Sequence, residues 1–439
     1  MPPDDATQAG SQQPSTTFSA LAEPRYRRLW IGGLVSFLSV QMQFIARGWL
    51  AYELTGSNSG LGAVYLGFGV PMLLLTPWGG VAADRLSKRR VLMACQFALA
   101  ASSGVIALSI SLDVISYPML IASAVVQGAG FSFLGPARMA FTGELVGTNR
   151  LANAIVLQQM SMNGTRVFGP SLAGALIGVA FFGVAGVYYL TTLLMLAAMA
   201  VTFGLPAGRP REGREQRSPV VELADGVSYL RRRPILLLLV ATSFFVVMIA
   251  FPYVAFLPTL ADEAFDVGAG GYGLLSGASA VGAVLASLFI ASRADGAQAW
   301  RLQTISGVGF GLGIALLAAA PTFPLALLAI VFTGAAASAF QSLNNALVLG
   351  ATDGDYHGRI QSLMMLSFSG FGMAALPLGA VADAVGLRET MAAMGVTACL
   401  AMAAYAFVRG RVVRRDAATR TRGEGAASAR PALAVDEVA

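Results

Sequence analysis

The sequence predicts an all-α membrane protein whose twelve transmembrane helices fall into two six-helix halves. Three observations carry this prediction. Apolar stretches of about 20 residues, the length that crosses a bilayer core, recur from Leu29 to Val408. Only 12% of the 439 residues are charged and 56% are hydrophobic, whereas a soluble domain carries about 25% charged residues. The basic residues are not gathered in one patch but alternate with the apolar runs.

These runs must be helices. In lipid each backbone group has to bond within its own segment, and a barrel would show strict alternation along each strand instead. The 50 glycines suit helices whose backbones approach closely. Helices are predicted near 29–52, 61–83, 91–111, 115–136, 152–180, 183–205, 234–259, 271–292, 301–320, 322–343, 360–383 and 387–408. The polar stretches between them give the domain plan. Residues 1–24 form a disordered cytoplasmic tail, 25–205 the N-terminal half, 206–233 a cytoplasmic central loop, 234–408 the C-terminal half and 409–439 a second disordered tail. The N-terminal stretch lacks the basic-then-apolar order of a signal peptide.

Charge fixes the orientation. With both termini cytoplasmic, of the 29 basic residues only Arg388 lies on the outer side and only Arg47 and Arg166 lie within spans. The outer loops carry acids instead: Glu53, Asp113, Asp262, Glu263 and Asp266. This is the positive-inside pattern, and removing one helix would scatter it. The plasma membrane, the inner membrane of a bacterial cell, is the expected location. The net charge of +6 does not indicate nucleic acid, because the basic residues form no continuous patch.

The chain also repeats. Gly62 precedes Asp84 by 22 residues, and Gly273 precedes Asp295 by 22. Arg150 leads into a helix holding Pro170, and Arg359 into one holding Pro377. Both echoes have an offset of about 210 residues. Two six-helix halves in parallel repeat place a substrate site between them near the bilayer midplane.

The segment Gly79–Arg90 packs five charges into the seven residues from Asp84 onward. Its Gly-x-x-x-Asp-Arg core (Gly80, Asp84, Arg85) with the basic triplet Lys88-Arg89-Arg90 resembles the loop between the second and third helices of the major facilitator superfamily. Further segments are similar to its enterobactin-exporter and macrolide-efflux branch. They are Tyr52–Ser57, Pro136-Ala137-Arg138, Glu144-Leu145-Val146, Leu151–Ala154, Arg166–Gly174 and Gly358-Arg359-Ile360. The resemblance covers roughly residues 25 to 408. It implies that Asp84 holds the two halves together near the start of the eleventh helix, at Gly358 and Arg359, with Arg85, Lys88 and Arg89 adding charge-assisted bonds. Asp295 is its counterpart in the second half. A carboxylate at a helix N-terminus gains roughly 0.3–1 kcal/mol. The chain departs from the superfamily patterns in three places. Ser87 stands where the loop motif has glycine. Ala124 stands where many drug/proton antiporters carry arginine, three residues before Gln127-Gly128. The glycine spacing around Gly169-Pro170 also differs, so the antiporter proton relay does not transfer.

A polar stripe marks the candidate cavity. Gln159, Asn163, Arg166 and Pro170 share one face of the fifth helix, and Ser36, Gln43 and Arg47 one face of the first. Arg166 lies roughly 20 Å along its helix at 1.5 Å per residue, a depth where an arginine normally faces a polar interior. Two readings of Arg166 stand: a cavity residue for neutral-polar or anionic groups, or a partner for carbonyls freed around Pro170. Arg47 lies nearer the outer end, where it can snorkel to the interface. In the seventh helix Pro252 and Pro258 predict a broken outer half, and Phe245 and Tyr253 are candidates to touch a lipophilic substrate. No acid falls at mid-span: Asp383 sits near the outer end of the eleventh helix, and His357, the one histidine, sits in an inner loop.

The expected activity is secondary transport. A small organic molecule, drug-like or a secreted metabolite such as a siderophore, leaves the cell by alternating access. Proton antiport follows from the resemblance alone. A lipid bilayer, a coupling proton and a small-molecule substrate are the expected partners, a monomer the expected state, and no cofactor or metal is called for. The chain has no Gly-x-x-x-x-Gly-Lys loop for ATP and no nucleophile–base pair that would make it an enzyme. An importer of a small anion or metabolite, or a non-transporting receptor of the same fold, are the alternatives.

Overall fold

Long apolar segments with few breakers give helices throughout the described residues, which in this computed structural model are 18–179, 181–208, 219–290, 296–353 and 356–428. No strand occurs among them. The spanning elements are α1 (Pro24–Thr55), α2 (Asn58–Arg85), α3 (Lys88–Ser111), α4 (Tyr117–Ile177) and α5 (Gly183–Phe203). After a short α6 (Pro219–Arg231) come α7 (Pro234–Ile249), a single turn α8 (Leu257–Thr259) and α9 (Gly268–Ile290). The chain then forms α10 (Gly296–Ala319), α11 (Phe323–Gly350), α12 (His357–Val385) and α13 (Leu387–Ser428). Among the described residues, ten helices are long and apolar enough to cross a membrane. Ser369–Val385 of α12 is a shorter apolar stretch, and α4 after Gly147 carries Gln158, Gln159 and Arg166.

Three elements differ from the sequence-based plan. The fourth and fifth spans form one helical path that bends at Gly147, whose φ of 66° and ψ of −179° leave the helix. Glycine adopts that backbone without a Cβ clash, so one residue turns the chain where a longer loop is expected. The central segment contains α6 rather than loop alone. The C-terminal stretch, expected to be disordered, continues α13 as far as Ser428; alanine and arginine, which dominate it, are strong helix formers. The prolines of the seventh span break its outer half as expected. A 3-10 turn covers Phe251–Phe256 and a π turn Leu260–Ala264, because Pro252 and Pro258 have no N–H to continue the ladder.

The chain forms two compact units: residues 1–47 with 74–216, and residues 48–73 with 217–439. This differs from the six-plus-six division in one respect, since the end of α1 and the first part of α2 belong to the second unit.

In the first unit α1, the later part of α2, α3, α4 and α5 enclose a core around Leu92, Leu99, Leu134, Phe141 and Met195. Gly79 lies so close to α4 that a Cβ would overlap the Ser132 carbonyl oxygen, whereas a Cβ on Gly80 would meet open space. Gly80 is the residue the loop motif singles out, yet Gly79 makes the contact. Gly169 also leaves no room for a Cβ, which would overlap Cβ of Gln41 in α1.

The second unit closes on similar contacts. Gly62 of α2 rests on the Ala375 carbonyl of α12, Gly282 of α9 on that of Val331, and Gly334 of α11 on that of Ser279. Asp383, near the end of α12, accepts hydrogen bonds from Asn58 N (2.8 Å), Asn58 Nδ2 (3.0 Å) and Ser59 N (2.9 Å). The two backbone N–H groups are first-turn donors of α2 that its own helix cannot satisfy. Together these contacts explain why 48–73 belongs to this unit.

A paired substitution tests the close approach in α2. Gly79→Ala is expected to lower stability by about 1–3 kcal/mol through overpacking against an immobile backbone oxygen. Gly80→Ala is expected to leave stability unchanged or slightly raised. Thermal unfolding of the two purified variants checks the contrast.

Candidate functional site

The first unit has a polar interior that four helices build side by side. Lipid offers no water to a buried polar group, so each one needs a protein partner. Arg47, only 2% exposed, donates from Nη1 to Gln127 Oε1 and from Nη2 to Ser123 Oγ at 3.2 Å. Gln127 Nε2 donates onward to Gln43 Oε1 at 3.2 Å, and Gln43 Nε2 to Ser39 Oγ at 3.3 Å. Ser39 donates to the Thr191 carbonyl at 3.0 Å, and the Thr191 hydroxyl meets Ser103 at 2.8 Å. A parallel link runs from Gln96 Nε2 to Ser36 Oγ at 3.1 Å. The chain of bonds joins α1, α3, α4 and α5, and every side chain in it is buried.

This placement corrects the reading of Arg47 as an outer-interface anchor. Its guanidinium turns inward because Gln127 and Ser123, one helical turn apart on α4, offer two acceptors in line with its planar fork. Gln43 lies in the same network. Ser123 was not singled out by sequence; its position four residues before Gln127 was the available signal. Ala124, where antiporters carry arginine, is fully buried beside it.

The other stripe lies elsewhere. Gln159 and Arg166 are exposed, while Leu157, Ser161 and Thr165 form the buried face of that helical stretch. Pro170 follows in the same helix, half-buried, and the side chain of Asn163 lies outside the described residues. The structure therefore separates Arg47 and Gln43, which are sealed inside the unit, from Gln159 and Arg166, which are not.

The basic loop after α2 is fastened within the first unit. Lys88, buried beneath Gly208, pairs with Glu144 at 3.5 Å. Gly208 has φ +70°, and a Cβ there would press on the Lys88 stem. Arg89 Nη1 donates to the Leu205 carbonyl at 2.9 Å and lies over the Phe203 ring. Its positive charge thus sits at the C-terminal end of α5, where the dipole favours it. Ser87 donates to the Ala207 carbonyl, so the residue that replaces the motif glycine has a structural use. Asp84 is half-buried in the last turn of α2 and Arg85 is exposed.

In the second unit, Tyr253 is buried, its hydroxyl 3.4 Å from Ser279 Oγ and its ring edge-on to Phe310. It is thus a packing residue of the unit interior, while Phe245 is exposed. Tyr52 donates to Asp262 at 2.8 Å, and Trp49 to Glu53 at 2.6 Å while stacking on Tyr272. At the other end Tyr229 of α6 stacks on Tyr356 at 4.0 Å, and Arg359 lies over the Tyr356 ring. His357 Nε2 reaches the carbonyls of Leu349 (3.1 Å) and Thr352 (2.9 Å) at the end of α11. Asp295 lies outside the described residues.

A family model described as "Transmembrane secretion effector" matches residues 15–434. The chain belongs to this family of major facilitator transporters. Two curated relatives agree with that membership. The "Staphyloferrin A transporter" of Staphylococcus aureus is 24% identical over 357 residues, covering 78% of this chain and 87% of the relative. The "Uncharacterized MFS-type transporter YfiS" of Bacillus subtilis is 25% identical over 218 residues, 47% of this chain and 51% of the relative. Among solved structures, a bacterial homologue of the human lysosomal transporter Spinster, inward-facing and unoccupied, superposes with a TM-score of 0.72. It shares 14% identity and covers 90% of this chain and 98% of its own. The nucleoside transporter NupG gives a TM-score of 0.65 at 15% identity, covering 87% and 98%. Likeness at this identity shows the fold alone. As a secretion-effector transporter the protein is multi-pass, sits in a lipid bilayer and handles a small-molecule substrate; the family's members are transporters rather than enzymes.

The Arg47–Gln127 bond is the test of the polar interior. Gln127→Leu removes an acceptor from a buried guanidinium and is expected to lower stability by about 1–3 kcal/mol. Adding Arg47→Met to Gln127→Leu is expected to cost less than the sum of the single changes, because the stranded charge goes with its partner. Additive losses in thermal unfolding would show that the two side chains do not act together.

Proposed function

We propose that this secretion-effector transporter exports a small organic molecule, drug-like or a secreted metabolite such as a siderophore, across the plasma membrane by alternating access. A proton gradient drives the export, the protein works as a monomer, and both termini are cytoplasmic. The observation that carries the reading is the glutamine- and arginine-rich interior of the first unit, an expensive arrangement within apolar helices. Intramembrane ionisable and polar side chains are kept where a substrate or ion has to be handled. The family's description as secretion effectors and the likeness to the S. aureus staphyloferrin A transporter support export of a polar metabolite. In this reading Arg166, Gln159, Asn163 and Phe245 meet the substrate. Gln43 and Arg47 brace the helices of the first unit, and Pro170 and Tyr253 shape the segments in which they lie. Gly80, Asp84, Arg85, Arg359 and Asp295 take part in the conformational change. Lys88 and Arg89 anchor the loop that bears Asp84.

The guanidiniums favour anionic or carbonyl-rich cargo, which also suits an importer of a small anion. Counterflow in proteoliposomes of known orientation, run over a substrate panel with and without a proton gradient, separates the two. Outward movement of a carboxylate-bearing metabolite that accelerates with an inward proton gradient is the expected result. Arg166→Gln is expected to weaken substrate affinity about tenfold, and Asp84→Asn to slow transport without lowering membrane insertion. Solute movement only in the inward direction would favour the importer, and none under any condition would remove transport altogether.

A further inference from the structure

Pro136-Ala137-Arg138 is a sequence feature that the transport reading leaves unused. Arg138 is 3% exposed. Its Nη1 makes a long bond of 3.4 Å to the Gly33 carbonyl, and its guanidinium lies 4.5 Å from the Phe37 ring centroid. Its Nε is buried and has no hydrogen-bond partner among the described residues. No carboxylate pairs with it there: Glu144, further along the same helix, is held by Lys88. Removing a guanidinium from water is costly unless charge and hydrogen bonds are supplied in return, and one ring face with one weak carbonyl contact supplies little.

Arg138 lines a cavity with Trp30, Phe37, Thr142, Gln158 and Ser161. Two of the oxygens around it, Gln158 Oε1 and the Leu157 carbonyl, already accept hydrogen bonds. Thr142 bonds Gln158 Oε1 at 3.4 Å, and Ser161 and Trp30 both donate to the Leu157 carbonyl, at 3.0 and 3.1 Å. What the lining offers a guest is a cation, the Gln158 amide donors, the Thr142 and Ser161 hydroxyls and an aromatic wall. The space open to a water-sized guest is about 10 Å³, close to one sphere of that radius. It suits a small guest such as a halide ion or the end of a short carboxylate, and no bulkier body.

We propose that this cavity is a binding site for a small monovalent anion, chloride or one oxygen of a carboxylate, held by Arg138 and Gln158. The anion neutralises the buried guanidinium and ties α1 to the Arg138–Ser161 stretch of α4. The site is independent of the export reading, because its occupant need not be the transported molecule.

Thermal unfolding of the purified full chain in detergent, at constant ionic strength, tests it. Sodium gluconate, whose anion is too large for the cavity, is replaced stepwise by sodium chloride. The midpoint is expected to rise by several degrees and to saturate. Arg138→Gln is expected to abolish the rise while still eluting as a single species. A parallel acetate series that matches chloride would extend the site to carboxylates, and one that matches gluconate would restrict it to the halide; either agrees with an anion site. If Arg138→Gln does not fold, Gln158→Leu serves in its place, with half-saturating chloride expected to rise about tenfold. A midpoint that is the same in chloride and gluconate, or a chloride response undiminished in the variant that folds, would overturn the proposal.

Discussion

A guanidinium sealed among apolar helices has no water to fall back on, and the interior of the first unit is organised around that constraint. Arg47 occupies such a position, and its surroundings follow from it. Gln127 and Ser123 must lie within reach on α4. The far end of Gln127 then needs its own acceptor, which Gln43 supplies, and Gln43 in turn needs Ser39. The requirement passes from α4 to α1, along α1 to Ser39, and across to α5, where the Thr191 carbonyl ends the series. A network of this kind specifies how four helices rotate about their axes far more sharply than apolar packing does, because a rotated helix would strand an amide. The lipid-facing residues place no comparable demand on rotation.

Close approach of backbones is the second device, and both units use it in equivalent places. In the first, the second span meets the fourth at Gly79 and Ser132. In the second, the corresponding helices α9 and α11 meet at Gly282 and Val331 and again at Gly334 and Ser279. Without a hydrophobic drive between helices in lipid, small residues let dispersion contacts and backbone fit do the holding. The internal repeat seen in the sequence is thus matched by a shared mode of helix contact, although the contacting glycines do not fall at the same repeat positions.

The spans were legible because hydropathy is a long-range average: about 20 residues vote together, and a single glycine or serine does not change the outcome. The broken outer half of the seventh span was legible for a different reason, since Pro252 and Pro258 act locally and without exception on the N–H ladder. What escaped was direction. Nothing in the order of residues distinguishes Gly79 from Gly80, whose backbones face α4 and open space respectively. Periodicity grouped Gln43 and Arg47 with a substrate-facing stripe, but it cannot tell an inward face that meets a cavity from one that meets another helix. Gly147 was likewise silent, because one residue at positive φ does the work expected of a loop.

The position of Ala124 shows how the same chemistry can hide from a motif. In many drug/proton antiporters of the superfamily, a guanidinium beside the Gln-Gly pair comes from the fourth helix itself. Here that position is alanine, and sequence comparison alone reads the charge as missing. The structure has a guanidinium bonded to Gln127 all the same, delivered across the helix interface by Arg47 of α1. Position in a motif records which helix carries a group, whereas the chemistry depends on where the group ends up. A residue on a neighbouring helix can therefore keep the local electrostatics while erasing the pattern. The consequence here is specific: because Arg47 is fixed by two α4 acceptors, its charge is coupled to the relative rotation of α1 and α4. A change at Gln127 is then felt along the whole amide series.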